Sequence, residues 1–374
     1  MHVAWEMGSG SGGVISAAGY EEGQGRQDSN ERARHAALLS QGLTVQVYAL
    51  RDLQLFCNRR VNNEGETMVS KTGRQRVTLL MGAVLALMAG SAAAQQIAFT
   101  WDDLPVHGAL PPGETRAGIG QKLIAAMKDA KLPPIYGFVN GVGTENEPAS
   151  PAMLKEWRDA GFPLGNHTWS HMNLSQHSLE DWEADALKNE PLLKSEMGDA
   201  DWHWLRYPYL AEGDTPEKTA AARKFLAEHG YRIAGVTMSF GDYLYNEPYV
   251  RCAEKNDTAA MEQVETAYLA AADATADYSR AMSKALYGHD IPYVLLMHVG
   301  ALDARMLPRL LKLYRDKGFT FVSMEEAEKD PFYRNDLDLS LPAFPDSLEQ
   351  AMHGRNLPLP SRPTPTLKLN ELCR

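Results

Sequence analysis

Seven short apolar runs, each separated from the next by enough residues for a helix, dominate this chain from residue 97 onward. They fall at 97–101, 135–139, 162–166, 204–207, 231–236, 293–298 and 319–323. Runs this short and this apolar suit strands buried on both faces, and strands that alternate with helices are joined in parallel. The pattern therefore predicts a parallel β/α architecture, either a barrel or an open sheet. The helical stretches carry their own signals. Residues 115–131 place Ile119, Leu123, Ala126 and Met127 on one face. Ser150-Pro151 supplies an N-cap and first-turn pair for 150–160. Ser178 with Asp181 opens 178–197 in the manner of a capping box. Stretches 215–229 and 303–317 each run into a glycine, Gly230 and Gly318, suited to a C-terminal cap. The Ala-rich segment 257–288 breaks the rhythm and predicts a long helix or helical pair inserted between the fifth and sixth strands. Beyond Pro331 the pattern fades. Residues 336–374 hold six prolines and predict a tail wrapped over the domain or disordered.

The first part of the 374-residue chain is different. Residues 1–67 show no sustained apolar period. Lys71, Arg74 and Arg76 then precede an apolar run over 77–89 and an Ala92-x-Ala94 site, the layout of a secretory signal peptide over 68–94. A transmembrane anchor is the alternative, but it asks for ~20 apolar residues. The expectation is that translation starts at Met68, with 1–67 a mis-assigned extension. A real cytoplasmic extension would instead imply a tethered protein with its N-terminus inside. The mature protein, periplasmic or secreted, would begin near Gln95, with a single catalytic domain over 95–335 and the tail after it. Removing the nine basic and eight acidic residues of 1–94 from the chain's 37 and 48 leaves a net charge of −12. That balance argues against a nucleic-acid partner. Cys252 and Cys373 remain and could form one disulfide in an oxidising compartment, or stay as two thiols.

Chemistry-bearing residues gather at the ends of the runs. Asp102 and Asp103 end the first, His167 and His171 follow the third, Arg206 ends the fourth and His298 ends the sixth. In β/α barrels that end of the strands carries the active site. One Asp and two His can hold a divalent metal and leave coordination positions open, while the second Asp is free to act as a base. This describes a metal-assisted hydrolase better than a structural zinc site closed by four protein ligands. His107, just after the Asp pair, either lines the cleft or is structural. Trp169, Trp202 and Trp204 suit the core better than a sugar platform.

The motifs, in order, resemble those of the polysaccharide deacetylases of the NodB-homology type, carbohydrate esterase family four. Thr100-Trp101-Asp102-Asp103 resembles the family's Thr-Phe-Asp-Asp. His167-Thr168-Trp169-Ser170-His171 matches His-Ser/Thr-x-x-His, Arg206-Tyr207-Pro208-Tyr209 matches Arg-x-Pro-Tyr, and Leu296-Met297-His298 matches Leu-x-His. The fourth motif, Asp-x-x-Asp-Trp, departs: it reads Ser239-Phe240-Gly241-Asp242-Tyr243. The resemblance spans roughly 97–330. It implies a distorted (β/α) barrel of about seven parallel strands that removes N-acetyl or O-acetyl groups from a polysaccharide or oligosaccharide. It implies a metal held by Asp103, His167 and His171, with zinc the best fit and cobalt, nickel or manganese acceptable to the same ligands. Asp102 would be the base, with Arg206 pairing with it and aiming it. The Tyr209 backbone N–H would face the oxyanion, His298 would be the acid, and Asp242 would hold the His298 ring. Two other readings stand beside it: hydrolysis of a non-sugar C–N bond of the cyclic amide or imide type on the same fold, and an inactive carbohydrate-binding protein. The partner implied is an acetylated glycan, with no nucleic acid and no stable membrane insertion after signal cleavage.

Overall fold

The computed structural model describes residues 95–105, 107–146, 151–343, 347–361 and 367–374. The segment expected to be a signal peptide, all residues before it, and the cap residue Ser150 lie outside the described residues. Seven strands form: β1 (Gln95–Leu104), β2 (Gly137–Val139), β3 (Leu164–Asn166), β4 (Trp204–Leu205), β5 (Arg232–Ile233), β6 (Tyr293–His298) and β7 (Phe319–Phe321). Each falls on one of the seven apolar runs.

The strands lie in the order β5-β4-β3-β2-β1-β6, with β7 also on β1, and every pairing is parallel. β1 is central, so almost every residue in it is buried, which is why it reads as an unbroken apolar run. Past β5 the chain swings round to the opposite edge. Met238 bridges Leu295 of β6, and the Thr237 and Met238 N–H groups both donate to the Val294 carbonyl. The sheet closes through this short bridge rather than a full strand, giving a distorted (β/α) barrel.

The helices are α1 (Arg116–Asp129), α2 (Val142–Asn146), α3 (Pro151–Asp159), α4 (Leu179–Met197), α5 (Pro216–Glu228), α6 (Tyr243–Glu254), α7 (Thr258–Tyr287), α8 (Ala301–Asp316), α9 (Met324–Ala327), α10 (Arg334–Leu337) and α11 (Leu348–Gly354). The sequence signals for their ends are explained locally. Ser178 Oγ caps α4 by accepting from the Asp181 N–H, and its hydroxyl donates to Asp181 Oδ2 at 2.6 Å, a side-chain contact in place of the return bond to the cap N–H that a full capping box has. Gly230 and Gly318 follow α5 and α8 with φ of +75° and +85°, where a side chain would be strained.

The Ala-rich segment is one helix, α7, capped by Asp257 and ended by Gly288. Its buried Val264, Tyr268, Ala272, Ala276, Ser279, Ser283 and Leu286 recur every three or four residues, a single buried, mostly apolar stripe on a helix that packs on α6 and α8. The tail is wrapped over this helical layer. α11 packs on α7, Cys373 is disulfide-bonded to Cys252 of α6, and the Arg251 guanidinium donates to the Leu369 and Leu372 carbonyls. Pro345, Pro363 and Pro365 lie outside the described residues. Among the described residues, no helix is long and apolar enough to cross a membrane.

Candidate active site and metal centre

The site is assembled at the C-terminal ends of the strands. β1 delivers Asp102 and Asp103 there, and Asp102 is the register partner of His298 on the neighbouring β6. Nine non-glycine residues among those described have positive φ, and five of them, Asp103, Thr168, His171, Tyr209 and Leu210, sit on the predicted site motifs or directly beside them. Each such conformation costs about 1–3 kcal/mol and persists only where its surroundings enforce it, so backbone strain is concentrated where side chains must converge.

Arg206 organises the inner wall. It is fully buried, which is costly for a cation unless its donors are satisfied. Nε donates to the Ala234 carbonyl at 2.7 Å, one terminal nitrogen to Asp102 Oδ1 at 3.1 Å, and the other to Thr100 Oγ1 at 3.1 Å. Its carbonyl accepts from His167 Nδ1 at 2.7 Å. That bond fixes the His167 tautomer and turns Nε2 toward the carboxylates. The other oxygen of Asp102, Oδ2, lies 3.7 Å from His167 Nε2 and so faces the same space.

Asp103, His167 and His171 form the one group of three or more potential metal ligands among the described residues, with ligand atoms all within 4.8 Å of one another. Asp103 Oδ1 is buried, takes no hydrogen bond among the described residues, and lies 3.4 Å from Nε2 of both histidines. Two atoms bound at ~2.1 Å to one ion with tetrahedral angles lie roughly 3.4 Å apart, so the donor set fits a zinc-sized cation. An orphaned buried oxygen equidistant from two imidazoles is also what such a cation would resolve. Charges agree. Burial alone would raise the Asp103 pKa, but the imidazoles of His107, His167 and His298 hold it well below the usual carboxylate range. Burial, with the neighbouring His167, pushes His171 down to about 4, keeping it in the neutral form that ligates.

His298 stands on the far side. Its Nδ1 pairs with Asp242 Oδ1 at 3.0 Å, and its backbone N–H donates to Asp242 Oδ2 at 2.6 Å. Burial works against charge on this ring. The carboxylate of Asp242, by charge and hydrogen bond, with further help from Asp103 and Asp102, more than offsets it and pushes the pKa up to about 10. Two exposed aromatics flank the opening: Tyr209, its ring 4.4 Å from His171, and Tyr243, its ring 5.1 Å from His298. Trp202 and Trp204 are buried in the core, as expected, whereas Trp169, expected there with them, is only half-buried, with Lys188 Nζ 4.2 Å over its ring.

Several supporting residues escape sequence reasoning. Asn140 Nδ2 donates to the His167 and Thr168 carbonyls, Asn166 Oδ1 accepts from the Thr168 N–H, and Asn189 Nδ2 donates to Asn166 Oδ1. Asp185 Oδ2 accepts from the Ser170 N–H. These groups hold the histidine loop in its strained path. Their contacts join residues far apart in sequence and leave no local pattern. His107, the residue left open by the sequence, donates through Nδ1 to the Asp103 Oδ2 carboxylate oxygen at 2.7 Å.

Residues 89–234 match the family model described as polysaccharide deacetylase. That stretch is of the polysaccharide deacetylase family. No curated protein is matched. Among solved structures, the chain is similar to the chitin deacetylase from the fungal pathogen Colletotrichum lindemuthianum, at 20% identity over 62% of this chain and 86% of that one, TM-score 0.44. It is similar to the family 4 carbohydrate esterase from Streptomyces lividans in complex with acetate, at 18% identity over 62% and 95%, TM-score 0.40. A family pseudoenzyme from Bacillus anthracis also matches, at 14% identity over 63% and 66%, TM-score 0.42. The deacetylase-family match contains Asp102, Asp103, His167, His171, Arg206 and Tyr209. It stops before Asp242 and His298.

Proposed function

We propose that this chain is a secreted or periplasmic metal-dependent hydrolase that removes N-acetyl or O-acetyl groups from a polysaccharide or oligosaccharide. The observation that carries the reading is the orphaned Asp103 Oδ1 between two imidazoles, with the Asp102 carboxylate facing the same space and, on the neighbouring strand, the His298 imidazole paired with Asp242. Asp103, His167 and His171 would hold the cation, zinc first and cobalt, nickel or manganese by the same ligands. When bound, a divalent cation there polarises an acyl oxygen and lowers the pKa of a water.

The chain's own residues supply the proton traffic. Asp102 Oδ2 faces the site and accepts the water's proton, while Arg206 on Oδ1 fixes the direction of that acceptance. The Tyr209 backbone N–H would donate toward the developing oxyanion; the Tyr209 ring lies 4.4 Å from that of His171. His298 keeps its proton at neutral pH because of Asp242 and delivers it to the leaving nitrogen or oxygen. The exposed rings of Tyr209 and Tyr243 offer flat apolar faces on which a pyranose can lie. The Cys252–Cys373 disulfide supports an oxidising compartment.

A second reading, hydrolysis of a non-sugar C–N bond, is favoured by one feature: Ser239 and Tyr243 stand where the family has Asp and Trp, so the substrate wall is altered. Acetate release from acetylated glucosamine oligomers tests the choice. Release that needs added zinc supports the glycan reading. Stoichiometric zinc without acetate from any glycan moves the assignment to the second reading. An intact chain that binds glycans but neither zinc nor cyclic amides leaves only an inactive binding protein.

A further inference from the structure

The two oxygens of Asp103 keep different company. Oδ1 has no hydrogen-bond partner among the described residues and lies between His167 and His171. Oδ2 is 2.7 Å from His107 Nδ1. A carboxylate with both oxygens free can grip an ion through both and so occupy two coordination positions. A hydrolytic site works with three protein ligands and needs its other positions open. An imidazole that claims one oxygen settles which arrangement forms.

His107 is held there by the fold. Arg116 donates to the His107 carbonyl at 3.0 Å. Gly108 follows with φ of +67°, and a Cβ on it would meet Asn246 Nδ2 at 2.7 Å. Asn246 Nδ2 donates to the Ala109 carbonyl at 3.0 Å, and its Oδ1 accepts from the Leu302 N–H at 3.1 Å. The loop after β1 is thus tied to α6 and α8, the two helices that frame the acid side. The His107 ring centroid lies 4.8 Å from that of His298 and 6.4 Å from that of Tyr243. His107 therefore stands between the carboxylate–histidine cluster and the acid.

We propose that His107 is a positioning residue of the metal centre: by donating Nδ1–H to Asp103 Oδ2, it makes Asp103 a one-oxygen ligand and keeps the remaining coordination positions for water and the acyl group. The inference rests on the reading of the site as a metal-dependent hydrolase. Groups that orient a ligand in this way typically change metal affinity about 10–100-fold when removed.

The test is zinc affinity of the full chain by competition with a chromophoric chelator, for the wild type and for His107→Leu, His107→Asn and His167→Ala. Asn puts an amide N–H near the place of Nδ1 but has no imidazole; Leu fills the space without a donor. The expected result is one zinc per wild-type chain, about 10–100-fold weaker binding in His107→Leu, and His107→Asn close to wild type. The melting temperature of the metal-free chain should not separate His107→Leu from wild type, which a merely structural contact would. Wild-type affinity in His107→Leu, or Asn as weak as Leu, overturns the inference. If zinc is lost in His167→Ala while His107→Leu is unaffected, the inference alone fails. A wild-type chain that binds no zinc removes the reading of the site and this inference with it.

Discussion

The barrel has two unlike halves. From β1 to β4 the strands pair continuously, the motifs keep every polar residue with only Trp101 in place of Phe, and the site residues are tied into a buried network through Arg206, Thr100 and three asparagines. From β5 to β6 the sheet closes by one short bridge at Met238, the fourth motif is altered, and the His298 ring is hydrogen-bonded to a single carboxylate, that of Asp242. The family match runs through β5 and ends at Ala234, before the Met238 bridge and His298. On the proposed reading, metal chemistry and proton delivery would rest on different physical footings. One is built into the core; the other is a pair of residues on a wall that also carries α6, α7 and the tail.

That contrast can be broken in order of effect. Asp102→Asn and His298→Ala should each lower kcat by about 10²–10⁴-fold, since each removes one proton carrier, with zinc stoichiometry unchanged. Equal loss of zinc in either would merge the two halves. Arg206→Met should separate them further. It removes the partner of a buried carboxylate and several buried hydrogen bonds, so denaturant titration should show a stability loss of about 3–5 kcal/mol. His298→Ala should cost far less stability.

Asp242→Asn probes the second half through pH. In the proposed mechanism His298 acts while protonated, and its pKa is raised to about 10 chiefly by Asp242 against the effect of burial. The alkaline limb of the kcat profile should therefore lie well above neutral in the wild type and move to lower pH in the variant. An unmoved limb would mean that His298 is not the acid or that Asp242 does not tune it. Cys252→Ser should have the smallest catalytic effect: about 2–4 kcal/mol less stable, because a long loop loses its closure, with kcat/KM unchanged.

Much of this was legible beforehand, and the two halves again differ. Parallel strands buried on both faces leave apolar runs, so all seven could be located from sequence, and the caps at Ser178, Gly230 and Gly318 act through near neighbours. Asp102, Asp103, His167, His171 and Arg206 fall at strand ends by the same logic. α6 was missed because Pro248 lies inside it and Tyr243-Leu-Tyr gives no capping signal. The Cys252–Cys373 bond spans 121 residues, and nothing local in either cysteine's surroundings points to it. Asn140, Asn166 and Asn189 look like ordinary polar residues until the fold buries them. His107 could be placed near the site but not given a partner, since its role depends on which Asp103 oxygen it meets.

The most direct test strips metal from the purified chain and measures acetate release from N-acetylglucosamine oligomers with and without zinc, for wild type and His167→Ala. The account predicts one zinc per wild-type chain, zinc-restored acetate release, and neither in His167→Ala. Acetate release from metal-free wild type at the zinc-loaded rate, or full activity in His167→Ala, would contradict it.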